Sequence, residues 1–174
     1  MSVRYRITKY DPAKRDRSGL YPQNEWTSVY DMGNPAFSPV LTLSEYLRTE
    51  EAYTKAVADV MQHFGLSALY VYRAELHPSC FAAAGQMQSV GISLSKEEKT
   101  LYRAFKSGLK LTGGNIPSAV RLILRELCWA ELVTYGPMKV EFGYDYYMYI
   151  TCPALPEEVI RQINSYGLFV ESSF

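Results

Sequence analysis

The first residues of the chain alternate in a way that predicts a β-strand. In residues 3–10, Val3, Tyr5 and Ile7 share one face, whereas Arg4 and Arg6 lie on the other. Residues 11–24 combine two prolines, one glycine and five charged side chains, which is typical of an exposed loop. Residues 25–31 alternate again, and they predict a short strand or an extended arm.

Two capping motifs predict helices in the middle of the chain. Thr42-x-x-Glu45 precedes apolar residues at three- and four-residue spacing that continue to Gly65. Ser95-x-x-Glu98 begins a second, shorter helix. Between them, residues 68–76 are rich in side chains that favour strands, and residues 77–94 match no pattern.

Two further helices are predicted in the second half of the chain. One begins at residues 115–117, where a proline in the first turn costs no hydrogen bond. Its apolar stripe comprises Val120, Ile123, Leu124, Leu127 and Cys128. The other occupies residues 156–167, with two glutamates in its first turn.

The remaining strand signal lies near the C-terminus. Residues 139–142 and 146–152 flank Gly143-Tyr144-Asp145, which is short enough for a hairpin connection, and residues 168–172 predict a last strand. The element order predicts an α/β or α+β fold with a mixed sheet of about five strands and about four helices. Residues 1–174 are expected to form a single globular domain, because this length is close to that of one domain.

Composition narrows the class of protein. With 48% hydrophobic and 21% charged residues, the chain is not expected to be disordered or fibrous. The 18 basic and 18 acidic side chains balance, which argues against a nucleic-acid partner. No stretch is apolar enough for a signal peptide or a membrane span, so a cytoplasmic protein without a membrane partner is expected.

The sequence gives little indication of a catalytic or metal site. Three cysteines, no CxxC pair and two histidines predict neither a metal site nor a cofactor, and an odd number of thiols suits a reducing cytoplasm. Gly113 and Gly114 lack the surrounding motif of a phosphate-binding loop. Cys80, three residues after His77, is the one candidate nucleophile, but no local catalytic signature accompanies it. We therefore predict no catalytic residue and no enzyme activity.

A cluster of tyrosines is the strongest local indication of a functional surface in the sequence. Fifteen tyrosines are present, and residues 142–149 contain Phe142, Tyr144, Tyr146, Tyr147 and Tyr149. Such residues favour strands, so one interpretation of the cluster is packing within a sheet. Tyrosine is also enriched at protein interfaces, so the other interpretation is a binding surface. The neighbouring charges are acidic rather than basic, which argues against stacking on nucleic acid.

The charges alternate in sign along the chain. Residues 1–24 and 96–126 are basic, each by a local +4, and residues 25–59 and 129–174 are acidic, each by a local −4. One interpretation is that these segments neutralise one another across the fold. The other is that the acidic segments combine into a surface that attracts a basic protein.

Three stretches resemble bacterial immunity proteins of contact-dependent inhibition and related polymorphic-toxin systems. They are YRITKY at residues 5–10 with EWTS at 25–28, FGYDYYMY at 142–149, and GLFVE at 167–171. The resemblance covers both ends of the chain but not its middle. It implies a small cytoplasmic protein that binds one cognate toxin domain, often a nuclease, and blocks it without catalysis.

On this hypothesis the partner is the toxin domain, with carboxylates attracting it and aromatic side chains anchoring it. The candidate contacts are Trp26, Asp31, Glu141, Tyr144 and Asp145. Two alternatives remain open: a small enzyme with Cys80 as its thiol nucleophile, and a scaffold that oligomerises through a tyrosine-rich edge strand. The toxin's identity and the oligomeric state do not follow from the sequence.

Overall fold

The fold combines one β-sheet with helices. A computed structural model describes residues 1–76, 88 and 91–172. Within these residues the strands are β1 (Ser2–Thr8), β2 (Ala68–Leu76), β3 (Lys110–Thr112), β4 (Cys128–Val133), β5 (Lys139–Phe142), β6 (Met148–Pro153) and β7 (Phe169–Ser172). The helices there are α1 (Leu43–His63), α2 (Lys96–Ala104), α3 (Asn115–Leu124) and α4 (Glu157–Ser165).

The seven strands form one sheet in the order β3-β2-β4-β5-β6-β1-β7. Every neighbouring pair is antiparallel. The expectation of helices packed with a sheet is confirmed, but a mixed sheet of about five strands is wrong in both respects. Strands β4, β5 and β6 follow one another as a meander, and the first strand of the chain is inserted between β6 and β7.

The two strands that were not predicted, β3 and β4, come from segments whose hydrophobic pattern indicated a helix or no element. Leu127 and Cys128 continue the apolar stripe of α3, yet the helix ends at Leu124 and Cys128 begins β4. Glu126 makes the turn with a φ of 58°, without the glycine that usually marks such a position. Strand β3 has three residues, too few to show alternation. Residues 25–31 contain no strand and end in a 3₁₀ turn, Val29–Asp31.

The helix boundaries follow the predicted caps. Ser95 and Glu98 form a reciprocal capping box at α2, with N–H···O distances of 2.8 and 3.0 Å. The Thr42 hydroxyl accepts a hydrogen bond from the Glu45 amide at the start of α1. Gly65, at a φ of 64°, ends the same helix, and its amide donates to the Gln62 carbonyl.

One face of the sheet packs against the helices. In β6, Met148, Ile150 and Cys152 are buried, whereas the intervening residues are partly exposed. The buried side chains of the strands and helices belong to a single apolar cluster, which includes Val57 of α1 and Leu122 of α3. This cluster holds the sheet and helices together as one layered structure.

Three helices are also joined by a buried ionic network. The Arg125 guanidinium, which is 5% exposed, donates from Nε and Nη2 to the two carboxylate oxygens of Glu50, each at 2.7 Å. Its Nη1 donates to Glu98 Oε1 at 3.1 Å. Arg125 follows α3, Glu50 belongs to α1 and Glu98 to α2, so one side chain links all three elements.

We predict that Arg125→Ala lowers the free energy of unfolding by about 3–5 kcal/mol, because two buried carboxylates lose their cation. Arg161→Ala is the matched control, since the Arg161–Glu157 pair is exposed on α4 and its loss should cost under about 1 kcal/mol. Urea unfolding measures both values. Equal losses in the two variants would contradict the structural role of the network.

Ion pairs also connect the segments of opposite charge. Glu171 of β7 accepts hydrogen bonds from Arg6 at 2.9 Å and from Arg15 at 2.6 and 2.8 Å. Glu51 of α1 accepts one from Arg121 of α3 at 2.9 Å. These contacts confirm that the basic and acidic segments neutralise one another across the fold.

The same contacts perturb the Glu171 carboxyl. Desolvation alone would raise its pKa, but the hydrogen bonds and charges of Arg15 and Arg6 lower the pKa from 4.5 to about 2. A carboxyl with a lowered pKa in the folded state stabilises the fold above the pKa of the unfolded chain. That stabilisation is lost as the pH falls from about 4.5 to about 2.

We therefore predict that Glu171→Gln destabilises the protein by about 1–2 kcal/mol at pH 7, and that this difference shrinks once the pH falls below about 4.5. Urea unfolding of the wild type and the variant at several pH values between 7 and 3 measures this difference. Glu157→Gln, at an exposed position, is the control and should change the free energy of unfolding by under about 1 kcal/mol. A constant difference for Glu171→Gln would contradict the assignment.

Candidate partner-binding site

The hairpin between β5 and β6 contains a tight turn with unusual backbone angles. The Tyr147 amide donates to the Tyr144 carbonyl at 3.1 Å, and the Gly143 amide donates to the Tyr147 carbonyl at 2.7 Å. Asp145 and Tyr146, the two central residues, have φ values of 56° and 61°. Positive φ at both positions defines a type I′ turn, which matches the twist of a hairpin but is costly for a tyrosine.

Buried aromatic rings hold Tyr146 in this conformation. Its ring centroid lies 4.9 Å from that of Trp26 and 6.0 Å from that of Tyr53. Its hydroxyl donates to the Leu124 carbonyl at the end of α3, at 3.0 Å. The Tyr53 hydroxyl donates to the Tyr146 carbonyl and accepts a hydrogen bond from the Lys9 amide. The core thus fixes the residue at the centre of an exposed turn.

A cleft of about 530 Å³ lies beside this turn. Its walls come from the end of α3, the beginning of β4, the end of β2 and the β5–β6 hairpin. The cleft lies where β4 and β5 separate. In the described part of the chain these two strands pair only through Leu132 with Val140 and Val133 with Lys139. The indole of Trp129 spans the gap and donates to the Phe142 carbonyl at 2.7 Å. The volume is within the usual range of ligand pockets, roughly 300–1,000 Å³.

The cleft is acidic as well as apolar. Among the described residues that line it, Glu75, Glu126 and Asp145 are acidic and none is basic. Glu126 accepts a hydrogen bond from the Ser28 hydroxyl at 2.6 Å, and within the described part of the chain none of the three carboxylates forms an ion pair.

The structure brings two of the five candidate contacts to this cleft. Tyr144 and Asp145 both line it, and Tyr144 is 93% exposed at the tip of the hairpin. Glu141 lies on β5, where its carboxylate is 3.1 Å from Lys139 and 3.7 Å from Arg4. It is partly neutralised and does not line the cleft.

The other two candidates have structural roles instead. Trp26 is 4% exposed, because the rings of Tyr46 and Tyr146 and the ammonium of Lys9 cover it. Trp26 therefore has little surface with which to contact a partner directly. The Asp31 carboxylate accepts hydrogen bonds from the Thr27 and Ser28 amides at 2.7 and 2.9 Å and caps a 3₁₀ turn, which leaves it partly buried rather than free to attract a partner.

Three cleft residues were missed by sequence reasoning. Glu75 follows a bulge in β2, between Tyr72 and Glu75 in the pairing with β4, and a bulge has no reliable sequence signal. Glu126 follows the helix at a position where glycine or asparagine would have marked the turn. Trp129 belongs to β4, a strand that was not predicted because its first residue, Cys128, continues the apolar stripe of the preceding helix.

Comparisons with known proteins find no counterpart. No family, curated protein or solved structure matches the chain. None of the described helices has the length and apolar character needed to cross a membrane. In the described ranges no group of three histidine, cysteine or acidic side chains is placed to hold a metal ion.

The thiols of the described residues are buried. Desolvation raises the pKa of Cys128 well above its ordinary value and that of Cys152 to about 11. Both are therefore protonated at neutral pH and are poor nucleophiles. Cys80 and His77, the candidate nucleophile and its neighbour, lie outside the described residues, so the alternative of a thiol enzyme stays a prediction.

We predict that Tyr53→Phe destabilises the fold by about 1–3 kcal/mol, because the Tyr146 carbonyl and the Lys9 amide lose their buried partner. Amide hydrogen exchange at Tyr147 should also accelerate as the turn loosens. Tyr144→Phe removes the same atom from an exposed ring and should change stability by less than about 0.5 kcal/mol. Equal effects would contradict the coupling between the core and the turn.

Proposed function

We propose that the protein is an immunity-type inhibitor that binds a cognate bacterial toxin domain in the cytoplasm and neutralises it without catalysis. Its contact surface, on this proposal, is the β5–β6 hairpin together with the adjoining cleft. The resemblance of residues 142–149 to immunity proteins supports the class, and this is the segment that forms the hairpin.

The observation that carries the proposal is the presentation of Tyr144. Its side chain is 93% exposed, yet it adjoins a turn that buried rings and hydrogen bonds hold in one conformation. A large exposed ring on a rigid support loses little entropy on binding. Tyrosines in such positions are frequent hot spots of protein interfaces.

The charges beside Tyr144 favour a basic partner. Elsewhere Glu50, Glu131, Glu141 and Glu171 are paired with basic side chains of the same chain. The three carboxylates of the cleft are not paired in this way among the described residues. A toxin domain that acts on nucleic acid carries the basic surface that would complement them.

Binding to the toxin domain encoded beside this gene tests the proposal. We predict a complex with a dissociation constant below the micromolar range, weakened about 10- to 100-fold by Tyr144→Ala. Tyr135→Ala is the matched control: Tyr135 is 90% exposed but lies in the β4–β5 connection, at the opposite end of the meander. Isothermal titration calorimetry measures both affinities.

Co-expression adds a functional measurement. The wild type and Tyr135→Ala should protect cells from the toxin, whereas Tyr144→Ala should protect them less. The absence of a complex at micromolar concentrations would overturn the proposed function. A complex that both tyrosine variants form equally well would retain the function but move the interface away from the hairpin.

A further inference from the structure

We infer that the cleft beside the β5–β6 hairpin binds an arginine side chain, supplied by a basic segment of the partner protein. The identity of the partner rests on the proposed function, whereas the residues of the site all belong to this chain. The occupant follows from three properties of the cleft: its charge, its walls and the spread of its carboxylates.

Charge excludes anionic occupants. The carboxylates of Glu75, Glu126 and Asp145 line one cleft, and no described lining residue is basic to balance them. A neutral occupant would leave these three like charges without a partner beside partly apolar walls. A cation reduces their mutual repulsion and gains charge-assisted hydrogen bonds.

The walls favour an organic cation. Leu76 and Ile123 contribute apolar surface, and Trp129 and Tyr144 contribute aromatic surface. The methylene groups of a long side chain can pack on the former while its charged end lies against the latter. The indole is fixed by its hydrogen bond to the Phe142 carbonyl, so the aromatic wall is formed before any ligand binds.

The spread of the carboxylates favours arginine over a metal ion or lysine. In the described residues no three such groups converge as metal ligands do, and Glu75, Glu126 and Asp145 come from three separate elements. A guanidinium has five donors arranged in a plane, stacks on aromatic rings and is more weakly hydrated than an ammonium. It can therefore reach separated carboxylates while it remains against the indole.

The cleft residues are also preorganised by their backbones. Glu126, Asp145 and Tyr146 all have positive φ values, and Arg73, two residues before Glu75, has a φ of 51°. These four are the positive-φ residues other than glycine in the described part of the chain, and three of them, Glu126, Asp145 and Tyr146, line the cleft. Clustering of such conformations is a feature of ligand-binding regions, where the surrounding structure holds them.

The direct test uses small probes and the Trp129 indole resonance. We expect N-acetyl-arginine amide to shift the Trp129 indole N–H signal in a saturable way, with a dissociation constant on the order of millimolar. N-acetyl-citrulline amide, which has the same shape but no charge, should bind at least about tenfold more weakly. The Trp26 indole is buried in the core, so its signal should remain unchanged as an internal reference.

A matched pair of triple variants identifies the carboxylates. Glu75→Gln with Glu126→Gln and Asp145→Asn neutralises the cleft, and asparagine tolerates the positive φ at position 145. Glu97→Gln with Glu157→Gln and Glu158→Gln removes the same charge from the exposed first turns of α2 and α4. The first variant should lose arginine binding at least about tenfold and the second should bind as the wild type does.

The possible results separate the inference from the proposed function. Equal binding of the arginine and citrulline probes, unchanged binding by the cleft variant, or no Trp129 shift with the arginine probe would each overturn the arginine site. Equal binding of the toxin domain to both triple variants would overturn the role of the arginine site in the complex but leave the proposed function standing. A saturable arginine site in a protein that binds no toxin would support the site and overturn the function.

Discussion

The contact between Arg125 and Glu50 is the interaction on which the rest of the structure depends. It joins the end of α3 to α1 through two hydrogen bonds of 2.7 Å, in a place where neither side chain reaches much water. The carbonyl of Leu124, the residue before Arg125, accepts a hydrogen bond from the Tyr146 hydroxyl. Glu126, the residue after Arg125, lines the cleft. A buried ion pair need not make a fold more stable than apolar packing would, but an arrangement of the two helices that separated the pair would leave buried charges uncompensated. That arrangement sets the positions of both sides of the candidate site.

Tyr146 connects the packed core to the exposed β5–β6 turn. Its backbone is at the centre of an exposed type I′ turn, while its ring packs with Trp26 and Tyr53. A tyrosine at a φ of 61° persists because the ring and its hydroxyl gain more from burial and hydrogen bonding than the backbone loses. The consequence is that Tyr144, although almost fully exposed, belongs to a segment with little freedom.

The sequence predicted the elements that carry local signals. The capping box at Ser95 and Glu98 and the alternation in residues 3–10 depend on neighbours a few positions away, and both were confirmed in the structure. Strand β4 was missed because its first residue, Cys128, and the preceding Leu127 continue the helical spacing of α3, and only the turn at Glu126 separates these two residues from the helix. At the site, Tyr144 and Asp145 could be found because they adjoin in the chain. Glu75 and Glu126 are brought to the same cleft by tertiary structure, which a single sequence does not reveal.

The distribution of paired and unpaired charges determines how this surface can recognise a partner. Because the protein has no net charge and most of its acidic segments are neutralised internally, its field at a distance is weak. Charges separated by more than about 8 Å are also largely screened at physiological ionic strength. The carboxylates of the cleft therefore act mainly after contact, when the partner excludes water and their interaction with a cation strengthens. Recognition of this kind discriminates between partners through the lifetime of the complex more than through the rate of encounter, because an ill-fitting cation leaves buried carboxylates unpaired. A rigid turn beside a rigid acidic cleft is suited to that form of selection.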